Sequence, residues 1–320
     1  MSGAMHRGRS GNDSFGNSKN SARPSGARKF FIYNLLMRKS SRLTGMVLAV
    51  LLCVVAVMWY AVLREDRHGI LTVSFLDVGQ GDSVYIDAPS GRQVLIDGGK
   101  SSTVLRRLAS VMPWWDRTID VVVPTHPDAD HIGGLVDVLA RYKVSTIIHS
   151  SVEGDTQTAK ALVEAMKQEG SRNVVAMRGQ VVDLGGGAYL QILYPDRLLP
   201  HVATNDGCVV VRLVYGKTSF MLSCDAPQGV EEYLVALDGA SLRSDVLKAG
   251  HHGSKYSSSP IFLGFVSPSS GVFSRGCTNT YGHPAPEVVE RFKQFGIPTF
   301  DTCKDGTVTF VSDGQTVVRE

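Results

Sequence analysis

Four side chains of the kinds that bind metal ions lie within six positions of the segment "PTHPDADHIGG", residues 124–134. They are His126, Asp128, Asp130 and His131. The apolar run "IDVVV" before them predicts a buried strand, so these side chains fall in a loop at the edge of a sheet. Two carboxylates held this close repel each other, and a divalent cation removes the repulsion. Imidazole and carboxylate ligands suit Zn, Mn or Fe.

Three further segments place polar side chains directly after apolar strands. "LIDGG" ends on Asp97, which is suited to accept a hydrogen bond from a metal-bound histidine. "TSFMLSCDA" leads to Asp225, and "DVLKAGHHGS" leads to His251 and His252. For residues 126–131 there is an alternative to a metal site: the two aspartates only cap the helix that follows. The repeated placement at strand ends favours a metal site.

The order of strand and helix patterns indicates the fold class. "LTVSFLDV", "SVYIDA" and "RQVLIDGG" read as successive strands. Helix and strand patterns then alternate over residues 102–170, strands return over residues 181–222, and the C-terminal third mixes both. Two similar α/β halves with facing sheets and outer helices are therefore expected.

The N-terminal part differs in composition from the rest of the chain. Residues 1–42 are predicted to form a disordered basic tail. The 21 residues of 43–63, "LTGMVLAVLLCVVAVMWYAVL", contain no charge, and a helix of that length spans the roughly 30 Å hydrocarbon core of a membrane. We therefore predict a transmembrane helix at residues 43–63, a linker at 64–70 and a large folded domain at 71–320. A buried core helix and a cleaved signal peptide are the alternatives.

Charge is unevenly distributed along the chain and predicts an orientation in the membrane. Residues 1–63 contain nine Lys and Arg and one acidic residue, whereas residues 64–320 contain 24 Lys and Arg and 29 Asp and Glu. Basic residues precede the apolar run, so the positive-inside rule places the N-terminus in the cytoplasm. The large domain is then extracytoplasmic, on a single-pass protein of the cell membrane. Its acidic balance offers no broad electrostatic surface for DNA.

These motifs, in this order, resemble the metallo-β-lactamase superfamily, whose motif is H-x-H-x-D-H. "FLDVGQGDSVYI", "THPDADHIGG", "LKAGHHGSKYSSS" and "YGHPAPEVVERFKQFG" further resemble the extracellular metallo-β-lactamase domain of the ComEC family of competence proteins. The resemblance covers about residues 71–320. It implies a four-layered αββα sandwich, two divalent metal ions (Mn or Zn) and hydrolytic, DNA-degrading activity. The metal positions that it implies are His126, Asp128, Asp130, His131, Asp225 as the bridging carboxylate, and one of His251 and His252, of which His252 is preferred.

The resemblance and the chemistry of phosphodiester hydrolysis assign further roles. His251 is expected to contact phosphate, and His251 or His283 to supply a proton or hydrogen bond to the leaving oxygen. Asp130 is predicted to be catalytic as well, together with His251 and His283. Asn205 matches an Asn-x-x-Ser pattern of the family, although Cys208 replaces the serine. The predicted substrate contacts are Lys248, Ser254, Lys255 and Asn205.

The predicted function is that of a membrane-anchored nuclease or phosphodiesterase of the ComEC type, linked to DNA uptake. DNA is the expected substrate, and one span forms no channel, so a separate DNA-transport channel is the expected partner. One alternative is a phosphodiesterase acting on phosphocholine or polymer-linked phosphate. Another is a non-catalytic DNA-binding module, which the retained metal positions disfavour.

The chain contains five cysteines, one of which, Cys53, lies in the apolar run. A hairpin turning at "YGKT" sets Cys224 opposite Val209 and Cys208 opposite Asp225. Strand alternation then points the two cysteines to opposite faces, which predicts no disulfide between Cys208 and Cys224. Pairing of the remaining two cysteines, at 277 and 303, stays open.

The orientation in the membrane is testable with a reporter fused to the C-terminus. We expect a reporter that works only in the cytoplasm to stay silent, because the basic residues precede the apolar run. A reporter that works only outside the cytoplasm should be active in the same position. Strong cytoplasmic activity would contradict the orientation.

Overall fold

The computed structural model describes residues 25–65 and 69–320. The chain divides into two compact units, Met1–Leu63 and Arg64–Glu320. The disorder predicted for residues 1–24 and the central part of the predicted linker, residues 66–68, lie outside the described residues.

The described part of the first unit lies in one long helix, α1 (Ser25–Glu65), which ends two residues beyond the unit. Its segment Gly26–Tyr60 is 35 residues long, with a mean hydropathy of 2.4 in its most apolar window, and none of that window is buried. The helix begins before the predicted span, so residues 25–42 are helical although they were assigned to a disordered tail. Residues 27–42 contain neither Gly nor Pro and include several apolar helix formers. Length and composition permit membrane crossing, and a signal sequence shares both features.

The second unit contains two sheets. Its strands are β1 (Leu71–Phe75), β2 (Val84–Asp87), β3 (Gln93–Ile96), β4 (Thr118–Val123), β5 (Lys143–His149), β6 (Arg172–Val175), β7 (Val181–Gly185), β8 (Ala188–Tyr194), β9 (Val210–Tyr215), β10 (Thr218–Leu222), β11 (Val246–Lys248), β12 (Ser270–Phe273), β13 (Thr299–Asp301), β14 (Val308–Ser312) and β15 (Val317–Arg319). Among the described residues, eight strands form one sheet in the order β15-β14-β1-β2-β3-β4-β5-β6. Seven form the other, in the order β13-β12-β11-β10-β9-β8-β7.

Helices cover the outer face of each sheet. Those of this unit are α2 (Thr103–Val111), α3 (Ala129–Leu139), α4 (Gln157–Glu169), α5 (Gln228–Asp238), α6 (Pro260–Val266), α7 (Pro286–Gln294) and α8 (Thr302–Asp305). Side chains of α2, α3 and α4 pack with the first sheet in one apolar cluster. Side chains of α5, α6 and α7 pack with the second sheet in another. A third cluster fills the space between the sheets, so the layers are helix, sheet, sheet, helix.

Strand alternation explains why some strands are apolar throughout. In β4, Val121 and Val123 face the core between the sheets, while Val122 faces the helices. Both faces are buried, so the sequence reads as an uninterrupted apolar run. Strands β3 and β4 are parallel, as are β10 and β11. The loops that follow these strands contain the predicted site residues.

Cys208 and Cys224 form a disulfide, with their Cα atoms 6.5 Å apart, so the prediction of no bond between them is wrong. The predicted hairpin register is correct, since Val214 pairs with Ser219. However, β10 ends at Leu222, and Cys224 has a φ of 49°. The alternation of strand side chains therefore does not extend to Cys224. A second disulfide joins Cys277 and Cys303.

A buried carboxylate, Glu231 of α5, holds the loop that follows the tandem histidines. Its Oε1 accepts a hydrogen bond from the Ser258 amide at 2.6 Å, and its Oε2 accepts one from the Ser259 amide at 2.7 Å. Burial raises the pKa of Glu231 to about 7, against the lowering effect of these hydrogen bonds. The folded state therefore binds this proton more tightly than the unfolded chain does.

Replacing Glu231 with Gln should destabilise the protein by about 1–3 kcal/mol at low pH, because one buried amide loses its acceptor. The pKa of Glu231 rises from 4.5 to about 7 on folding, so its contribution to stability falls as pH rises through that window. The loss of unfolding free energy in the Glu231→Gln protein, relative to the wild type, should therefore be larger at about pH 5 than at about pH 8. Urea unfolding at both pH values measures it. The neighbouring, exposed Glu232→Gln is the control, and a deficit that grows with pH would contradict the assignment.

Candidate metal centre

Loops from both sheets bring one carboxylate and three imidazoles together. Asp225 follows β10, His131 lies in the first turn of α3, and His251 and His252 follow β11. The Oδ2 atom of Asp225 is 3.2 Å from Nε2 of His131, 3.5 Å from Nε2 of His251 and 3.4 Å from Nε2 of His252. One carboxylate oxygen is therefore shared among three potential metal-ligand nitrogens.

The other predicted ligands lie around this group. Asp130 Oδ2 is 3.4 Å from Nε2 of His252, and Asp128 Oδ2 is 3.5 Å from Nε2 of His126. The rings of His126 and His131 have centroids 4.1 Å apart. The structure thus brings together all six side chains that the sequence predicted as metal ligands.

Sequence reasoning assigned no role to Asp82, which lies with them. Ligand atoms of Asp82, His131, Asp225 and His252 are all within 4.8 Å of one another, and all four residues are buried. Asp82 belongs to the segment "FLDVGQGDSVYI", which supported the family resemblance. The sequence signal for Asp82 was its place in this family segment. The strand-end pattern did not point to it, because Asp82 precedes β2 and follows no strand directly.

The hydrogen-bond partners of three imidazole nitrogens indicate whether the site suits a metal ion. The Nε2 atoms of His126, His131 and His252 are buried and have no hydrogen-bond partner among the described residues. Buried polar atoms are nearly always paired. Three unpaired nitrogens facing carboxylates form a donor set that suits a divalent cation with nitrogen and oxygen ligands.

Hydrogen bonds on the opposite side of each ring fix its orientation. The Nδ1 atom of His131 is 2.8 Å from Asp97 Oδ2. Thr125 donates its hydroxyl hydrogen to the same carboxylate at 2.7 Å, so its oxygen accepts from Nδ1 of His126 at 3.0 Å. The Nδ1 atom of His252 is 2.9 Å from the carbonyl oxygen of Ser274. With Nδ1 donating, Nε2 of each ring presents its lone pair to the centre.

Backbone conformations at the centre are unusual for residues other than glycine. Asp97, Cys224, His251 and His252 have φ values of 58°, 49°, 47° and 55°. Such values cost free energy and persist where surrounding contacts impose them. The amide of His251 donates to the carbonyl of Cys224 at 3.0 Å, which joins two of these positions.

A close backbone approach places Asp82 at the centre. Its amide donates to the carbonyl of Asp130 at 3.2 Å. The preceding Gly81 has a φ of +126°, and a Cβ atom there would lie 1.9 Å from the Asp130 carbonyl oxygen. Only glycine permits this contact between the β1–β2 loop and the start of α3.

Lys248, predicted from sequence as a phosphate contact, is buried at the end of β11 with 2% of its surface exposed. Its ammonium forms an ion pair with Asp82, lies 3.3 Å from Oδ1 of Asp225 and donates to the carbonyl of Cys224 at 2.8 Å. The ammonium therefore lies behind the carboxylates. It occupies one oxygen of Asp225 and leaves the other facing the imidazoles.

Electrostatics keep the central carboxylates ionised. Burial acts to raise the pKa of Asp225, but His252, His131 and Lys248 together lower it well below its ordinary value. For His131, burial acts to lower the pKa, but Asp225 and Asp97 outweigh it and raise the pKa well above the ordinary range, so a metal ion would have to displace a proton from Nε2 before the lone pair could bind it. A high density of opposite charges is thus held in a small buried volume.

The remaining predicted residues lie at the rim of the centre. The Nδ2 atom of Asn205 is 3.5 Å from Nδ1 of His251, and the His283 ring centroid is 5.5 Å from that of His251. Burial, and next the neighbouring His251 and His252, lower the pKa of His283 to about 4. Ser254 is buried, with its amide donating to the His251 carbonyl at 2.8 Å, whereas Lys255 is exposed.

Comparison with known families agrees with the fold and the centre. The profile of the metallo-beta-lactamase superfamily matches residues 76–271, more than half of the chain. The chain therefore belongs to the metallo-beta-lactamase superfamily of metal-dependent hydrolases.

Curated relatives include a ComE operon protein and a competence protein. The chain is 26% identical over 260 residues to ComE operon protein 3 of Bacillus subtilis (strain 168), across 74% of this chain and 32% of the relative. It is 31% identical over 242 residues to competence protein ComA of Neisseria gonorrhoeae, again across 74% of this chain and 32% of the relative. The chain thus spans 32% of the length of each relative. Among solved structures, the metallo-beta-lactamase fold protein YhfI from Bacillus subtilis matches 72% of this chain and 95% of its own, at 11% identity and a TM-score of 0.48.

Replacing Lys248 with Met should cost about 3–5 kcal/mol of folding stability, because Asp82 and Asp225 would stay buried without their cation. Urea unfolding in the presence of a chelator measures this, since a bound metal ion would replace part of the lost charge. Lys255→Met, at an exposed lysine, should change stability by no more than about 0.5 kcal/mol. Equal unfolding midpoints for the two variants would contradict the buried ion-pair role.

Proposed function

We propose that the chain is a metal-dependent phosphodiesterase that cleaves DNA. The observation that supports this most directly is the convergence of three imidazole Nε2 atoms on Oδ2 of Asp225. The two curated relatives are named as competence and ComE operon proteins, which supports a role linked to DNA uptake. In this proposal α1 crosses the cell membrane with its N-terminus in the cytoplasm. The hydrolase unit lies outside, beside a separate DNA-transport channel.

Two divalent ions fit the distribution of ligands in the proposal. His126 and Asp128 would hold one, and Asp130, His131 and His252 the other, with Asp225 between them. When bound, such ions polarise a phosphoryl oxygen and lower the pKa of water. Lys248 holds Oδ1 of Asp225 at 3.3 Å and so keeps Oδ2 directed towards the imidazoles.

The protein's own groups at the rim would act on the leaving oxygen. Because the pKa of His283 is about 4, its ring is neutral at neutral pH. A neutral imidazole has one N–H donor and one acceptor nitrogen. His283 would therefore offer a hydrogen bond and not a full proton, beside His251. Asp130 stays ionised, because His252 and His131 lower its pKa against the effect of burial.

Mn²⁺ is the activating ion that the ligand set favours. Asp128 stands where the superfamily motif H-x-H-x-D-H has its second histidine, so the proposed set has as many carboxylates as imidazoles. Oxygen ligands shift preference towards Mn²⁺ relative to a site rich in histidine. Zn²⁺ still binds more tightly by the general order of affinities, so binding and activation are separate measurements.

A small phosphodiester, such as a phosphocholine or polymer-linked phosphate ester, is the second candidate substrate. The acidic balance of residues 64–320, with 24 Lys and Arg against 29 Asp and Glu, favours it. Against it, bound divalent ions supply positive charge at the site where a DNA phosphate would lie. DNA therefore stays the preferred substrate class.

Full-length protein freed of metal and reconstituted with Mn²⁺ or Zn²⁺ tests the proposal. We expect cleavage of DNA, faster with Mn²⁺, on at least one of plasmid, linear duplex and single-stranded substrates. Asp130→Ala should reduce turnover by more than the roughly 10–100-fold typical of residues that only support a ligand. Asp137→Ala, on the same helix, is the control and should retain activity. Cleavage of small phosphodiesters but not DNA would select the second candidate, and an active Asp130→Ala enzyme would reject the site.

A further inference from the structure

An exposed tyrosine ring begins a series of ring contacts that leads into the centre. The ring of Tyr281 is stacked, near-parallel and offset, against that of His283, with centroids 5.6 Å apart and an interplanar angle of 24°. His283 in turn lies 5.5 Å from the ring of His251, whose Nε2 is 3.5 Å from Oδ2 of Asp225. These ring contacts, one stacked and one edge-on, therefore lead from solvent to the carboxylate that the proposed metal ions would share.

One face of the Tyr281 ring is open to solvent. The residue is 68% exposed, although tyrosine is a large and partly apolar side chain. In the part of the chain that the structure describes, His283 is the one ring that contacts it. The ring is thus a flat platform with one free face.

The loop beneath the platform is held rigidly. Oδ1 of Asn279 accepts the His283 amide at 2.9 Å, and its Nδ2 donates to the carbonyls of Gly276 at 2.9 Å and His283 at 2.8 Å. The disulfide between Cys277 and Cys303 ties the start of this loop to α8. A rigid aromatic ring loses little conformational freedom when a ligand stacks on it.

We propose that Tyr281 is a stacking subsite for a nucleobase next to the phosphate at the metal centre. The subsite rests on the proposed phosphodiesterase function and specifies its substrate as single-stranded nucleic acid. Stacking on an aromatic face is independent of base sequence and contributes a large part of single-strand affinity. It also provides affinity that does not depend on the net charge of the domain.

Two other ligands fit the platform less well. A quaternary ammonium such as choline is usually enclosed by several aromatic rings, whereas Tyr281 has one ring neighbour among the described residues, on its covered face. A base within a duplex is already stacked on both sides and must be unpaired before it can lie on the tyrosine. The open single ring therefore favours an unpaired base.

Binding of two single strands that differ only in their bases provides the test. Fluorescence anisotropy of the full-length protein with Ca²⁺ in place of Mn²⁺ compares a labelled oligothymidylate with an abasic strand of equal length. We expect the wild-type protein to prefer the strand with bases. Tyr281→Ala should weaken binding of that strand by about 5- to 100-fold and leave the abasic strand unchanged. Tyr281→Trp should retain the preference.

Trp114→Ala is the matched control. Trp114 is 78% exposed and lies before the start of β4, whereas the metal-binding segment with His126 and His131 follows the end of that strand. Equal binding of both strands by the wild type, or a Tyr281→Ala protein that behaves like Trp114→Ala, would overturn the subsite. Displacement of the oligothymidylate by phosphocholine and not by thymidine monophosphate would overturn it in favour of a cation site. DNA cleavage with Mn²⁺ is scored separately. Base-dependent binding without any cleavage refutes the proposed function alone, and cleavage without base dependence refutes the subsite alone.

Discussion

The ionised carboxylate of Asp225, buried between the two sheets' loops, is the constraint on which the centre depends. A charge with 2% of its residue surface exposed is stable only with charged or hydrogen-bonding partners. Lys248 supplies one partner for Oδ1, while the imidazoles supply the others for Oδ2. The strand ends, the tandem histidines and the buried lysine are therefore parts of one electrostatic arrangement, contributed by elements far apart in sequence.

Holding these groups together requires backbone that local sequence does not favour. Four residues of the centre other than glycine adopt positive φ values, and each must be maintained by contacts elsewhere. The Cys208–Cys224 disulfide restrains the residue beside Asp225. Glu231 fixes the two amides of residues 258 and 259 that follow the histidine pair. The rigidity of the site thus comes from its surroundings, which is how a preorganised centre avoids rearranging during a reaction.

The sequence was sufficient to predict the two-sheet α/β architecture and the convergence of its strand-end residues, because both follow from local patterns of apolar and polar residues. Asp82 was missed since its approach depends on Gly81 meeting the start of α3, a contact distant in sequence. Lys248 was predicted to be an accessible phosphate contact because lysine is rarely buried, and only the positions of Asp82 and Asp225 explain its burial. The disulfide prediction failed because a positive φ at Cys224 cannot be read from a cysteine.

The acidic balance of the domain limits how a nucleic acid can be recognised. Because acidic residues outnumber basic ones in residues 64–320, affinity for a nucleic acid would come from few, local interactions, and so from the metal centre and from contacts that carry no charge. An aromatic face is such a contact, because stacking is insensitive to the repulsion that distant carboxylates exert on phosphate. The ring contacts from Tyr281 through His283 to His251 join both kinds of interaction. A strand bound this way would have its base fixed at one end of these contacts and its phosphate at the other, which aligns the scissile bond before any chemical step.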